Sequence, residues 1–107
     1  MAEEKPIKEY HLKAIYGSRQ EYDLSKVCRG LERLAQQEGL RIESDHSYWG
    51  ALKPYAFREV LFKSEGGRLE YRSGGTWSID FQEIKVYGEE LEPFCKKLDK
   101  IVEDSTV

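Results

Sequence analysis

The 107-residue chain has the length of one small domain and is long enough to bury a core without disulfide bonds. Its net charge of −3 excludes a strongly basic domain of the kind that binds nucleic acid through bulk charge. Seven tyrosines, four phenylalanines and two tryptophans argue against disorder, although 35% of the residues are charged. We therefore predict a single domain over residues 1–107, with an ordered core over about residues 7–103.

The location of the protein in the cell is predicted from the lack of a signal-peptide pattern and of a membrane-spanning segment in the sequence. The polar amino-terminal residues are not followed by an apolar segment, and no run approaches the ~20 apolar residues that cross a bilayer. These features predict a cytoplasmic protein that does not enter a membrane. Cys28 and Cys95 fall within apolar helical patterns, so we expect them to pack in the core rather than to form a disulfide scaffold.

The first two elements of the chain are predicted from hydrophobic periodicity. Residues 7–16 alternate between apolar and polar side chains, which is typical of a half-buried strand. A helix follows over residues 24–35, where apolar residues recur at helical spacing. Asp23 or Ser25 supplies its amino-terminal cap, and Gly39 supplies its stop.

The middle of the chain is predicted to be a run of strands. An extended segment begins at Leu40, residues 44–47 have the composition of a turn, and a strand covers residues 56–63. A glycine hairpin leads into a strand over residues 68–72, and a second glycine turn follows at residues 73–75. Apolar residues alternate from Trp77 to Phe81 and then change phase, which predicts a bulge near Gln82 and Glu83.

A second amphipathic helix ends the chain. Its apolar residues run from Leu91 to Val102, Pro93 fits only in the first turn, and residues 105–107 are expected to fray. The predicted fold is therefore α+β, with an antiparallel sheet of four to five strands and two helices on one face, in the order β-α-β-β-β-β-α. This element order is similar to one repeat of the TATA-binding-protein fold, and the resemblance implies a curved antiparallel sheet backed by two helices.

The strand predicted over residues 56–63 carries large apolar side chains on both faces, because Phe57 and Leu61 alternate with Val60 and Phe62. Such a strand is either buried on two sides or covered on one face by a partner. We therefore predict a small, non-enzymatic binding or accessory protein that acts through its open sheet face, by association with another protein or by homodimerisation. The residues predicted to contact the partner are Tyr48, Trp49, Tyr55, Phe57 and Leu61.

An alternative is a nucleic-acid-binding module that uses the same sheet face. Basic side chains would neutralise phosphates there, while an aromatic side chain such as Trp49 or Tyr71 stacks on a base. A solvated face with cross-strand ion pairs accounts for the same pattern, because acidic residues are interspersed among the basic ones. The basic residues of this alternative are Lys13, Arg58, Arg68, Arg72 and Lys85.

A second alternative is a small enzyme that uses His11 and His46 with a nearby carboxylate, Asp45 or Glu43. It requires these groups to converge in a cleft. No catalytic residue, metal site or cofactor is assigned, because two histidines without a spaced third ligand are a poor metal site. The outer faces of the helices carry basic residues that are expected to be solvated: Lys26, Arg29 and Arg33 on the first helix, and Lys96, Lys97 and Lys100 on the second.

Overall fold

A computed structural model of the chain describes residues 4–15, 22–49, 56–75 and 79–106. Within these residues the chain forms five strands and two α-helices in the predicted order, which confirms the α+β class. The strands are β1 (Lys8–Ile15), β2 (Arg41–Trp49), β3 (Ala56–Ser64), β4 (Gly67–Gly75) and β5 (Ile79–Tyr87). The helices are α1 (Leu24–Gln37) and α2 (Glu92–Asp104), and a 3-10 turn over Glu89–Leu91 precedes α2.

The five strands form one antiparallel sheet in the order β1-β5-β4-β3-β2. Strands β2 to β5 are a meander of neighbours, as expected for strands joined by short connections. Helix α1 carries the chain from β1 at one edge of the sheet to β2 at the other edge. The chain then returns strand by strand until β5 pairs with β1.

Local sequence signals explain where the helices begin and end. The Asp23 side chain accepts a hydrogen bond from the backbone N–H of Lys26 at 3.1 Å, so Asp23 is the N-cap of α1. Gly39 has a φ of 79°, the left-handed conformation that follows many helices. Pro93 lies in the first turn of α2, where its missing N–H costs no helical hydrogen bond.

Both helices cover the same face of the sheet. The buried side chain of Gln82 donates a hydrogen bond from Nε2 to the backbone carbonyl of Leu24 in α1, at 2.7 Å. The Tyr10 hydroxyl donates to the Asp99 carboxylate and contacts the backbone carbonyl of Cys95 in α2. Burial and the Asp99 carboxylate raise the pKa of Tyr10. The apolar core lies between the two layers; its fully buried side chains include Val27, Leu31, Leu69, Ile84, Val86 and Leu98.

Four local expectations are wrong. Residues 44–47 are not a turn but part of β2, and the bulge lies in β2 between Ile42 and Ser44, whereas β5 pairs without interruption. Strand β4 continues through Gly75 instead of ending at Arg72. Residues 105 and 106 do not fray: the carbonyl of Ser105 accepts from the N–H of Asp23 at 2.8 Å, so the end of α2 is tied to the start of α1.

Candidate binding face

The side of the sheet opposite the helices, called the open face below, is the surface that the sequence proposes for binding. Alternate residues of each strand point towards it, since successive side chains of a strand face opposite ways. The rows that cross the sheet follow from the strand register. The open-face residues of β1, β5, β4 and β3 are Glu9, His11, Lys13, Ile15, Ile79, Phe81, Glu83, Lys85, Tyr87, Arg68, Glu70, Arg72, Gly74, Phe57, Glu59, Leu61 and Lys63.

One end of the open face is an apolar patch, formed by Ile15, Phe57, Ile79, Phe81 and Gly74. Phe57 and Phe81 both pair with Gly74, one from each neighbouring strand, and their ring centroids lie 6.3 Å apart at an interplanar angle of 60°. A Cβ atom at Gly74 would lie 2.7 Å from the Phe81 ring and 2.9 Å from the Phe57 ring, so the two rings cover the glycine. Ile15, Phe57 and Ile79 nevertheless stay 46%, 39% and 37% exposed, which leaves the patch open to water.

The middle of the open face is a row of alternating basic and acidic side chains that crosses all five strands. In register, His11 pairs with Glu83, Glu83 with Arg72, Arg72 with Glu59, and Glu59 with His46. The Arg72 Nε lies 3.2 Å from a carboxylate oxygen of Glu59. The residue types in the row are symmetric about its centre: the arginine lies in the middle, with a glutamate on each side of it and a histidine at each end.

Most of the remaining cations of the open face are also paired with carboxylates, whereas Lys13 forms no ion pair with a residue that the structure describes. The Nζ of Lys85 lies 3.0 Å from Glu83, and the hydrogen bond between them lowers the pKa of Glu83 and raises that of Lys85. Arg68 stacks on the Tyr87 ring, 3.9 Å from its centroid, and pairs with Glu4 at 2.6 Å. The face therefore presents balanced charge rather than a basic surface.

A shallow depression of about 390 Å³ lies over this charged region. Its polar lining comes from neighbouring strands, with Ser44 and His46 on β2 and Glu59 on β3. Leu61 contributes the apolar part of the lining. The open face is therefore concave over its charged rows, with the apolar patch at one end.

Arg58 and Tyr71 lie on the other side of the sheet, so the expectation that Arg58 faces outward is wrong. Arg58 shares the phase of the buried Val60, and its guanidinium donates two hydrogen bonds to Asp45, at 3.2 and 2.9 Å. It donates a third to Glu32 of α1 at 2.9 Å. Hydrogen bonding to Arg58 lowers the pKa of Asp45. Tyr71 is only 3% exposed within the core, where it is not available to stack on a base.

The two histidines do not converge. His11 lies on β1 and His46 on β2, the opposite edges of the sheet, which four strand spacings of ~4.8 Å place about 19 Å apart. Asp45 follows the phase of the helix side, whereas His46 belongs to the open face, because neighbouring residues of a strand point to opposite faces. The arrangement that the enzyme alternative requires is not formed by these groups.

The predicted partner-contact residues are distributed as follows. Phe57 belongs to the apolar patch, and Leu61 lies on the same face two open-face positions further along β3, beyond Glu59. Tyr48 and Trp49 are the last two residues of β2, where Tyr48 is in register with Phe57. Tyr55 lies outside the described residues.

Sequence reasoning missed most of the apolar patch. The bulge predicted near Gln82 and Glu83 puts Ile79 and Phe81 on the same face of the sheet as Ile84 and Val86. The regular register of β5 places Ile79 and Phe81 on the open face instead, while Ile84 and Val86 occupy the core. The signal was present in the sequence, since an uninterrupted alternation through β5 puts Ile79 and Phe81 opposite Ile84 and Val86.

Among the residues that the structure describes, no three histidine, cysteine, aspartate or glutamate side chains are grouped closely enough to hold a metal ion. In the same ranges, neither helix has the length and apolar character needed to span a membrane. Comparisons with protein-family models, with curated proteins and with solved structures find no match for the chain.

Proposed function

We propose that this protein is a non-enzymatic binding protein that associates with a second copy of itself through the open face. The observation that carries the proposal is the apolar patch, where isoleucine and phenylalanine side chains stay 37–46% exposed next to one another. Burial of apolar area is the main driving force of protein association. Adjacent exposed apolar residues are typical of an interaction site, whereas scattered ones need no explanation.

The dimensions of the open face are adequate for a dimer. Strands of eight or nine residues at ~3.3 Å per residue, in a sheet of five strands at ~4.8 Å spacing, give a face of roughly 650 Å² in projection. Specific interfaces bury about 800 Å² on each partner. The whole face therefore approaches the required area, whereas the apolar patch by itself is too small.

The charges of the open face support a second copy of the chain as the partner. Because Arg72, Lys85 and Arg68 are paired with carboxylates of their own chain, covering them requires no partner of opposite charge. A residue on the two-fold axis of an isologous dimer meets its own copy. Stacking the faces centre on centre would set Arg72 against Arg72, so we expect the axis to pass closer to Phe57 and Phe81.

Nucleic-acid binding through the same face has less support. Four of its five candidate cations are in ion pairs with carboxylates, so phosphates would have to displace an existing partner at each of them. Those four are Arg58, Arg68, Arg72 and Lys85.

Size-exclusion chromatography with multi-angle light scattering tests the proposal. We expect the wild-type protein to have twice the mass of one chain at high concentration and to dissociate on dilution. Ile79→Glu places a charge in the apolar patch and should give a monomer at every concentration.

The matched control is Ile42→Glu. Ile42 is 56% exposed, so the substitution costs little stability, and it pairs with the buried Phe62 and therefore belongs to the helix side. This variant should dimerise like the wild type. A wild-type protein that stays monomeric at millimolar concentration, or equal loss of the dimer in both variants, contradicts the proposal.

A further inference from the structure

A groove of about 280 Å³ runs between the outer surfaces of α1 and α2. Its α1 wall is formed by Lys26, Arg29 and Arg33, and Ile101 of α2 contributes an apolar part. The helices approach closely beneath it, since a Cβ atom at Gly30 would lie 2.6 Å from Cγ2 of Ile101. This close contact keeps the basic wall beside the second helix.

The positive charge of this groove is not compensated by the described part of the chain. Arg29 and Arg33 are exposed and form no ion pair with any residue that the structure describes. Lys26 donates from Nζ to the backbone carbonyl of Asp104 at 2.9 Å, which is a neutral acceptor. The Asp104 carboxylate is the one acidic group among the lining residues, so three cations face one anion.

Of the other four arginines that the structure describes, three are paired with carboxylates, and the fourth, Arg41 on β2, does not line the groove. Arg58, Arg68 and Arg72 are each paired with a glutamate, although the chain as a whole carries more acidic than basic residues. Two guanidinium groups left without carboxylates beside a lysine therefore concentrate positive potential at one place. Such a concentration raises the local density of anionic ligands.

The spacing of the three basic residues allows them to meet one ligand. Lys26, Arg29 and Arg33 are separated by three and four positions, so they lie on one side of the helix with neighbouring Cβ atoms about 5–6 Å apart. The long side chains of Arg29 and Arg33, four positions apart, can reach a common point. The guanidinium group offers several donors in a plane, which matches the oxygens of a phosphate group, and arginine clusters are a recurrent phosphate-binding device.

We propose that the groove between α1 and α2 binds a phosphate group, held between Arg29 and Arg33, with the Lys26 ammonium adding positive potential from the Asp104 end of the groove. The Asp104 end of the groove is unfavourable for an anion, because the carboxylate and the carboxyl-terminal end of α2 are both negative there. The ligand therefore sits towards Arg33. This site lies on the helix layer and is independent of the open face.

Isothermal titration calorimetry with inorganic pyrophosphate tests the site, and a phosphoserine peptide distinguishes a phosphoprotein partner from a free phosphate ligand. The double variant Arg29→Gln/Arg33→Gln should weaken the binding of both probes by at least about tenfold, since each substitution removes a charge-assisted hydrogen bond. Raising the salt concentration should weaken the binding as well. Tighter binding of the peptide than of pyrophosphate would assign the site to a phosphorylated protein, and the reverse order to a free phosphate compound.

The matched control is Lys96→Gln/Lys100→Gln, which removes the same charge from exposed positions of α2 that do not line the groove. It should leave the affinity within about twofold of the wild type, because exposed charges outside the site are screened by solvent. Equal weakening in both double variants would show a diffuse charge effect and overturn the proposal. It would also be overturned if the wild type binds neither probe, or if it binds citrate as tightly as pyrophosphate.

Discussion

The contact between the helices at Gly30 leads to a prediction in which two known effects oppose each other. Alanine is more favourable than glycine inside a helix by about 1 kcal/mol, so Gly30→Ala would stabilise an isolated α1. In the folded protein its Cβ atom would lie 2.6 Å from Cγ2 of Ile101. That methyl group is attached directly to Cβ of a β-branched residue, whose χ1 angle is stiff in a helix, so it cannot simply move aside.

Forcing an extra methyl group into such a contact typically costs about 1–3 kcal/mol. We therefore expect Gly30→Ala to lower the free energy of unfolding by about 1 kcal/mol, which urea unfolding followed by circular dichroism would measure. In an Ile101→Ala background the obstructing atoms are gone, and the same substitution should raise the free energy of unfolding by about 1 kcal/mol. The cycle thus has a coupling of about 2 kcal/mol. Stabilisation of the wild-type background by Gly30→Ala would refute the reasoning.

Two further predictions concern pH. Burial raises the pKa of Tyr71 above its usual 10.0, so the neutral hydroxyl contributes stability that is complete below about pH 10 and is lost as the pH rises. Tyr71→Phe should therefore flatten the decline in the free energy of unfolding, measured with urea, between about pH 10 and 12. An unchanged slope would contradict this role of Tyr71. Hydrogen bonding to Arg58 lowers the pKa of Asp45 below its usual 3.8, so the contribution of Asp45 to stability is present above about pH 4 and is lost as the pH falls. Asp45→Asn should have a lower free energy of unfolding than the wild type at pH 7 and should lose less of it on acidification to about pH 2. Identical acid profiles of the two proteins would exclude this role.

The helices were predictable because their signals are local. Asp23 caps α1, Gly39 ends it, and both apolar stripes have a period that only a helix buries on one side. Because both stripes must be buried, the sheet with two helices on one face also followed. The order of the strands did not, since the pairing of β1 with β5 depends on contacts between distant parts of the chain.

The parts that were not predictable lie where a strand has no single buried face. Strand β2 is at the edge and its described side chains are mostly exposed, so the residues around Asp45 resemble a turn. Strand β3 is apolar on both faces, which leaves the phase of Arg58 undecided from the pattern. Strand β4 continues through Gly74 because two phenylalanine rings on neighbouring strands cover the glycine, a contact that the local sequence does not contain.

The pairing of β1 with β5 also has a consequence for biosynthesis. During synthesis, β1 acquires its partner only when residues 79–87 have been made, after a separation of roughly 60–80 residues whose closure costs entropy. The hairpins between β2 and β5 can form meanwhile, since each joins neighbouring segments. We therefore expect β1 to be the last strand added to the sheet, and a nascent chain stopped before residue 79 to keep β1 unpaired and exposed to chaperones.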